Sequence, residues 1–144
     1  MSNSKKLILI QIIFFFISSV SMCFMPLGSY YDGKLQKVIA IILGVIFWIF
    51  LIAGFVFNIV ISKTDIGKNV KGKCGIIRLF QNKYAKIADV ILIISFIASV
   101  IIIVSKSTIY LGAVVLFVFV FSFEMHCILN GKYFNTVFLK ENNK

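Results

Sequence analysis

Apolar residues in this chain run on for whole stretches instead of alternating with polar ones at a helical or strand period, and four stretches stand out. The first, 7–27, follows Lys5 and Lys6, and at about 1.5 Å of rise per residue it matches the roughly 30 Å hydrocarbon core of a bilayer. A basic start and the small residues Ser18, Ser19 and Ser21 also resemble a signal peptide. Met22, however, stands before Cys23 where a lipoprotein signal needs a small residue, and the run is read as a retained span that Pro26 and Gly28 end. The second run, 38–61, is interrupted by one strongly polar residue, Asn58, and is long enough to cross with a tilt. The third, 87–104, carries Asp89 near its start. Only a few residues around Lys106 separate it from the fourth, 109–129, so these two form an antiparallel helical hairpin. Asn130, Gly131 and Lys132 then stop the last helix, with a lysine placed favourably for its dipole. The pattern predicts an all-α fold: a four-transmembrane-helix bundle forming a single integral membrane domain over 1–144.

Composition agrees. Of the 144 residues 60% are apolar and 14% charged, against roughly 45–50% and 25% in soluble domains. A soluble domain of this length could not hide so much Ile, Phe, Val and Leu. The net charge of +10 does not imply nucleic acid as a partner, because the basic residues lie between the apolar runs and are not interleaved with stacking aromatics. They read as topology charges. Lys5, Lys6, the seven basic residues of 62–86 and Lys132, Lys140 and Lys144 fall on one side of the membrane, while Lys34, Lys37 and Lys106 fall on the other. Loops rich in Lys and Arg stay in the cytoplasm, so both termini are expected inside. The abundance of Ile, Lys, Asn and Phe points to a bacterial plasma membrane.

The connection 62–86 divides in two. Gly67, Gly72 and Gly75 loosen its first half. From Ile76 onward, Ile76, Phe80, Tyr84 and Ile87 recur at helical spacing, with Arg78, Asn82 and Lys86 on the other face. Two readings stand side by side: a short interfacial helix lying on anionic headgroups, or a basic loop whose apolar residues pack on the bundle. In the first, Lys68, Lys71, Lys73, Arg78, Lys83 and Lys86 contact anionic phospholipids.

Helices in lipid gain little from hydrophobicity against one another, so close approach of small residues matters more. Ala40, Gly44 and Gly54 share a stripe of the second span with Leu51 and Asn58, and Ser95 and Ser99 repeat the device in the third. They face other spans of the same chain or a second copy. The phenylalanines, including Phe14 to Phe16, Phe117, Phe119 and Phe121, suit lipid-facing positions.

The feature nearest to chemistry is polar. Gln11, Asn58, Asp89, Glu124 and His126 all fall within a few turns of the same membrane boundary and are expected to form one layer. A carboxylate inside a span costs about 2.5–3.5 kcal/mol at the helix centre, so each needs a reason. Asp89 can snorkel. Glu124, on a stripe with Ala113, Val120 and Cys127, should face protein. Glu124 and His126 are two residues apart, roughly 200° around the helix, and are not a local acid/base pair. Glu124 is expected to meet Asn58 or Gln11, and His126 to meet Asp89 or a loop lysine. Such a layer serves as a structural latch, a proton- or cation-sensitive site, or a contact surface for another membrane protein.

Other chemistries find little support. Cys23, Cys74 and Cys127 are too scattered for a disulfide framework or a Cys-x-x-Cys site, and no metal is expected because Glu124, His126 and Cys127 splay apart on one helix. With one histidine, no nucleophile elbow and no phosphate-cradling loop, neither catalysis nor a cofactor is expected. Four spans resemble the small multidrug exporters in size alone; those carry an essential carboxylate in their first span, where Gln11 stands here. The expectation is a non-enzymatic membrane protein acting through helix association, as an accessory subunit of a transporter or a toxin-immunity factor. The alternative is a small homo-oligomeric transporter or channel with Glu124 as its coupling site.

Overall fold

The computed structural model describes residues 3–30, 33–64, 68, 75–105 and 108–140, and every long element among them is helical. Four helices carry the apolar runs: α1 (Asn3–Tyr30), α2 (Lys34–Ser62), α3 (Lys83–Ser105) and α4 (Ile109–Leu129). All are long and apolar enough to cross a membrane. A one-turn α5 (Lys132–Phe134) and a π-helical segment (Asn135–Lys140) close the chain.

Local chemistry sets the boundaries. Gly33, in an extended conformation, precedes α2, and Thr108 does the same for α4. Asn82 caps α3, its Oδ1 accepting the Ala85 N–H at 2.8 Å, which starts that helix a turn earlier than the apolar run does. After α4 the chain reverses at Gly131, where a Cβ would stand 2.8 Å from the Ile128 carbonyl oxygen. α1 does not stop at Pro26 but continues to Tyr30. The proline leaves the Met22 carbonyl without its helical N–H and stands one turn before the helix ends.

The four helices lie in the order α2, α1, α4, α3: α1 packs on both α2 and α4, and α3 packs on α4. Among the described residues no substantial packing joins α2 to α3. This is an open row, not a closed bundle. Of the apolar window of α1, and likewise of α4, 33% is buried, against 11% for α2 and 17% for α3.

The seams are aromatic. Phe14 meets Phe50 and Phe57 edge-on, Phe15 meets Phe55, Phe16 meets Phe117 and Phe121, and Phe96 lies against Phe119. These rings therefore join helices, although the sequence placed several of them toward lipid. Edge-to-face geometry gives them an attraction for one another that lipid tails do not match. Small residues act beside them. A Cβ on Gly54 would fall inside the Phe15 ring, Ala40 is buried, and Gly44 lies against Met25 Sδ. Ser95 and Ser99 instead return their hydroxyls to carbonyls of their own helix.

The best-packed core sits at the end of the row that carries both termini. Ile8 and Phe15 of α1, Ile61 of α2, Ala85 and Ala88 of α3 and Ile128 and Leu129 of α4 converge there with Phe134 and Val137.

Candidate functional site

A carboxylate inside a helix packed on another has lost most of its water and needs donors in return. Asp89, in the second turn of α3, is fully buried and has three close groups. His126 Nδ1 lies 2.7 Å from Oδ1, Asn130 Nδ2 donates to the same oxygen at 2.8 Å, and the Phe80 N–H donates to Oδ2 at 2.6 Å. His126 and Asn130 are four residues apart, so one face of α4 presents both to α3.

The second shell ties down the chain before α3. Asn130 Oδ1 accepts the Gln81 N–H at 3.1 Å, and the other imidazole nitrogen, Nε2, faces the Ile76 carbonyl at 3.4 Å. The imidazole is thus held at both ring nitrogens, Nδ1 by Asp89 and Asn130 and Nε2 by the Ile76 carbonyl. Asn82 adds a second strap: its Nδ2 donates to the Leu129 carbonyl at 2.7 Å and to Asn135 Oδ1 at 2.9 Å. Residues 76–82 are therefore not a helix continuous with α3. Gly75–Ile77 form a single 3-10 turn and Phe80 takes a positive φ of 56°. For a residue with a Cβ that conformation costs about 1–2 kcal/mol, which the hydrogen bond from Phe80 to Asp89 offsets.

Glu124 faces the other way, into the seam between α1 and α4, as its angular offset from His126 requires. Neither Gln11 nor Asn58 meets it. Ser19 Oγ donates to Glu124 Oε2 at 2.5 Å, while Oε1 and the neighbouring Ser18 hydroxyl are buried with no hydrogen-bond partner among the described residues. Gln11 lies eight residues from Ser19, roughly 12 Å along α1, and its Nε2 donates to the Gly54 carbonyl at 2.8 Å. Asn58 is half-buried on α2 and joins neither group. The expected single polar layer thus resolves into three nodes: Gln11 with Gly54, Glu124 with Ser19, and Asp89 with His126 and Asn130.

Their chemistry differs. At the Asp89 node both carboxylate oxygens and both ring nitrogens face a partner. The Glu124 node sets one buried carboxylate beside two serine hydroxyls, of which Ser19 bonds it. Among the described residues no group of three or more His, Cys, Asp and Glu side chains is arranged to hold a metal.

Of the basic residues, Lys68, Lys83 and Lys86 are exposed and Arg78 is half-buried; Lys71 and Lys73, like Cys74, lie outside the described residues. Sequence reasoning passed over Asn130, Asn82, Ser18 and Ser19. Asn130 was legible as the residue four positions after His126. Asn82 was legible as an asparagine one position before the first residue of a long helix. Nothing in the sequence singled out Ser19 as the partner of a residue more than a hundred positions away. Compared with family models, characterised proteins and solved structures, the chain matches none.

Asp89→Ala leaves a histidine, an asparagine amide and a backbone N–H without their acceptor. It is expected to lower the unfolding free energy in mixed micelles by about 3–5 kcal/mol. A double-mutant cycle with His126→Ala is expected to show a coupling above about 1 kcal/mol. Additive losses would mean that the two side chains do not act as a pair.

Proposed function

We propose that this is a non-enzymatic multi-pass protein of a bacterial plasma membrane, with both termini cytoplasmic, that works by associating through its helices with another membrane protein. An accessory or regulatory subunit of a transporter, or an immunity factor against a membrane-directed toxin, fits this description. The observation that carries the reading is the open row. α2 and α3 are its flanks, and residues such as Val45, Ile49 and Ile52 on α2, or Ile94 and Ile101 on α3, are about half or more exposed. Two long helical faces are left free for a partner span, while polar groups fasten the same helices from behind. Orientation rests on the twelve basic residues at the end carrying the termini against three at the other.

Association is testable by purification in mild detergent after crosslinking in the native membrane. The expected product is a defined complex, hetero-oligomeric or homo-oligomeric, that a Trp substitution at Ile49 or Ile94 weakens at least tenfold while the chain stays folded. A monomer that transports solutes in liposomes without any partner would overturn the reading.

A second reading, a small homo-oligomeric transporter or channel coupled through Glu124, is favoured by the unpartnered Oε1 and Ser18 hydroxyl in the α1/α4 seam. Here Glu124→Gln is expected to abolish the pH dependence of flux in liposomes. Unchanged flux and pH dependence would remove Glu124 from that role.

A further inference from the structure

Small residues facing each other across a helix pair leave space that larger neighbours do not fill. Between α3 and α4, Ala88 and Ser122 form the floor of such a space. Ile91 and Phe121 wall it, and Tyr84 and Phe134 stand at its end nearest the termini. The groove measures about 430 Å³, within the range of small-molecule sites and comparable in bulk with one long acyl chain. It asks for nothing polar, because the Ser122 hydroxyl already donates to the Val118 carbonyl of its own helix.

The mouth differs from the floor. Tyr84 and Phe134 meet edge-on at 6.2 Å, and Lys83 Nζ stands 5.0 Å above the Tyr84 ring. Lys86, also exposed, follows Lys83 by three residues and so shares its side of α3. Neither lysine has a carboxylate partner among the described residues. Asp89, the nearest acid in sequence, turns to His126 and Asn130. An apolar slot open toward lipid, with free cationic groups at the level where headgroups begin, has the charge pattern of a phospholipid site between transmembrane helices.

We infer that the α3/α4 groove binds one anionic phospholipid, with an acyl chain lying over Ala88 and Ser122 and the phosphate held by Lys83 and Lys86. The lipid covers the outer face of the helix hairpin that Asp89 and His126 fasten from within. Only the membrane-embedded fold is needed for this, so the outcome is independent of whether the protein has a partner.

The test is native mass spectrometry of the full chain released from vesicles of equal parts phosphatidylglycerol and phosphatidylcholine. One phosphatidylglycerol per chain is expected to survive release, with a preference of roughly 30-fold, about fivefold for each lysine. Lys83→Gln with Lys86→Gln, both exposed and outside the packed core, is expected to bring the two lipids close to parity. Ile91→Trp fills the groove without changing charge and is expected to remove the bound lipid altogether. Thermal melting confirms that each variant folds, and the lysine pair carries the test alone if the tryptophan does not. Unsaturable binding of both lipids alike would overturn the inference, as would a lipid-free groove in a dimer or unchanged selectivity in the lysine variant.

Discussion

Removing a carboxylate from water costs several kcal/mol unless other donors replace its hydration shell, and the terminal end of this protein is built around the solution found at Asp89. One oxygen takes His126 and Asn130 from α4, the other takes the Phe80 N–H from the chain leading into α3. Between transmembrane helices there is little hydrophobic force to set register. A buried pair with fixed geometry supplies it. The hairpin of α3 and α4 is thereby held at a single register, and Asn82 and Asn135 extend the hold to α5. The apolar cluster of Ile8, Ile61, Ala88, Ile128 and Val137 collects at the same end.

The opposite face of α4 follows a different logic. Glu124 enters the α1/α4 seam with one serine donor and one oxygen unused. Complete satisfaction of both oxygens is found at Asp89 and not at Glu124. The two carboxylates thus lie on opposite sides of α4, Asp89 meeting it from α3 and Glu124 pointing from it toward α1. Aromatic seams let the remaining contacts be made without further polar groups.

Much of this was legible in the sequence because membrane crossing imposes a length and a composition that local residues carry by themselves. The fourth helix begins and ends where its apolar run does, and the second and third exceed theirs by a turn or less. α1 runs past Pro26 by one turn. What the sequence concealed were pairings across large separations. Gln11, Asn58 and Glu124 looked like one layer from their distance to the boundary, but Gln11 found a backbone carbonyl at Gly54 and Glu124 found Ser19, each set by helix rotation and not by depth. The helical spacing of Ile76, Phe80 and Tyr84 left open both an interfacial helix and a basic loop packed on the bundle. Hydrogen bonds to Asp89 and Asn130 instead pull Phe80 and Gln81 out of helical geometry.

Amide hydrogen exchange at Phe80 and Gln81, followed in lipid nanodiscs, tests most directly whether the Asp89 node organises this end of the protein. Both side chains are exposed and neither residue belongs to a helix, so protection that Asp89→Asn with Asn130→Ala removes reports the bonds to Asp89 and Asn130. Exchange as slow as that of the α3 and α4 amides around Asp89 and His126 is the expected result. Exchange at the rate of an unstructured loop would contradict it.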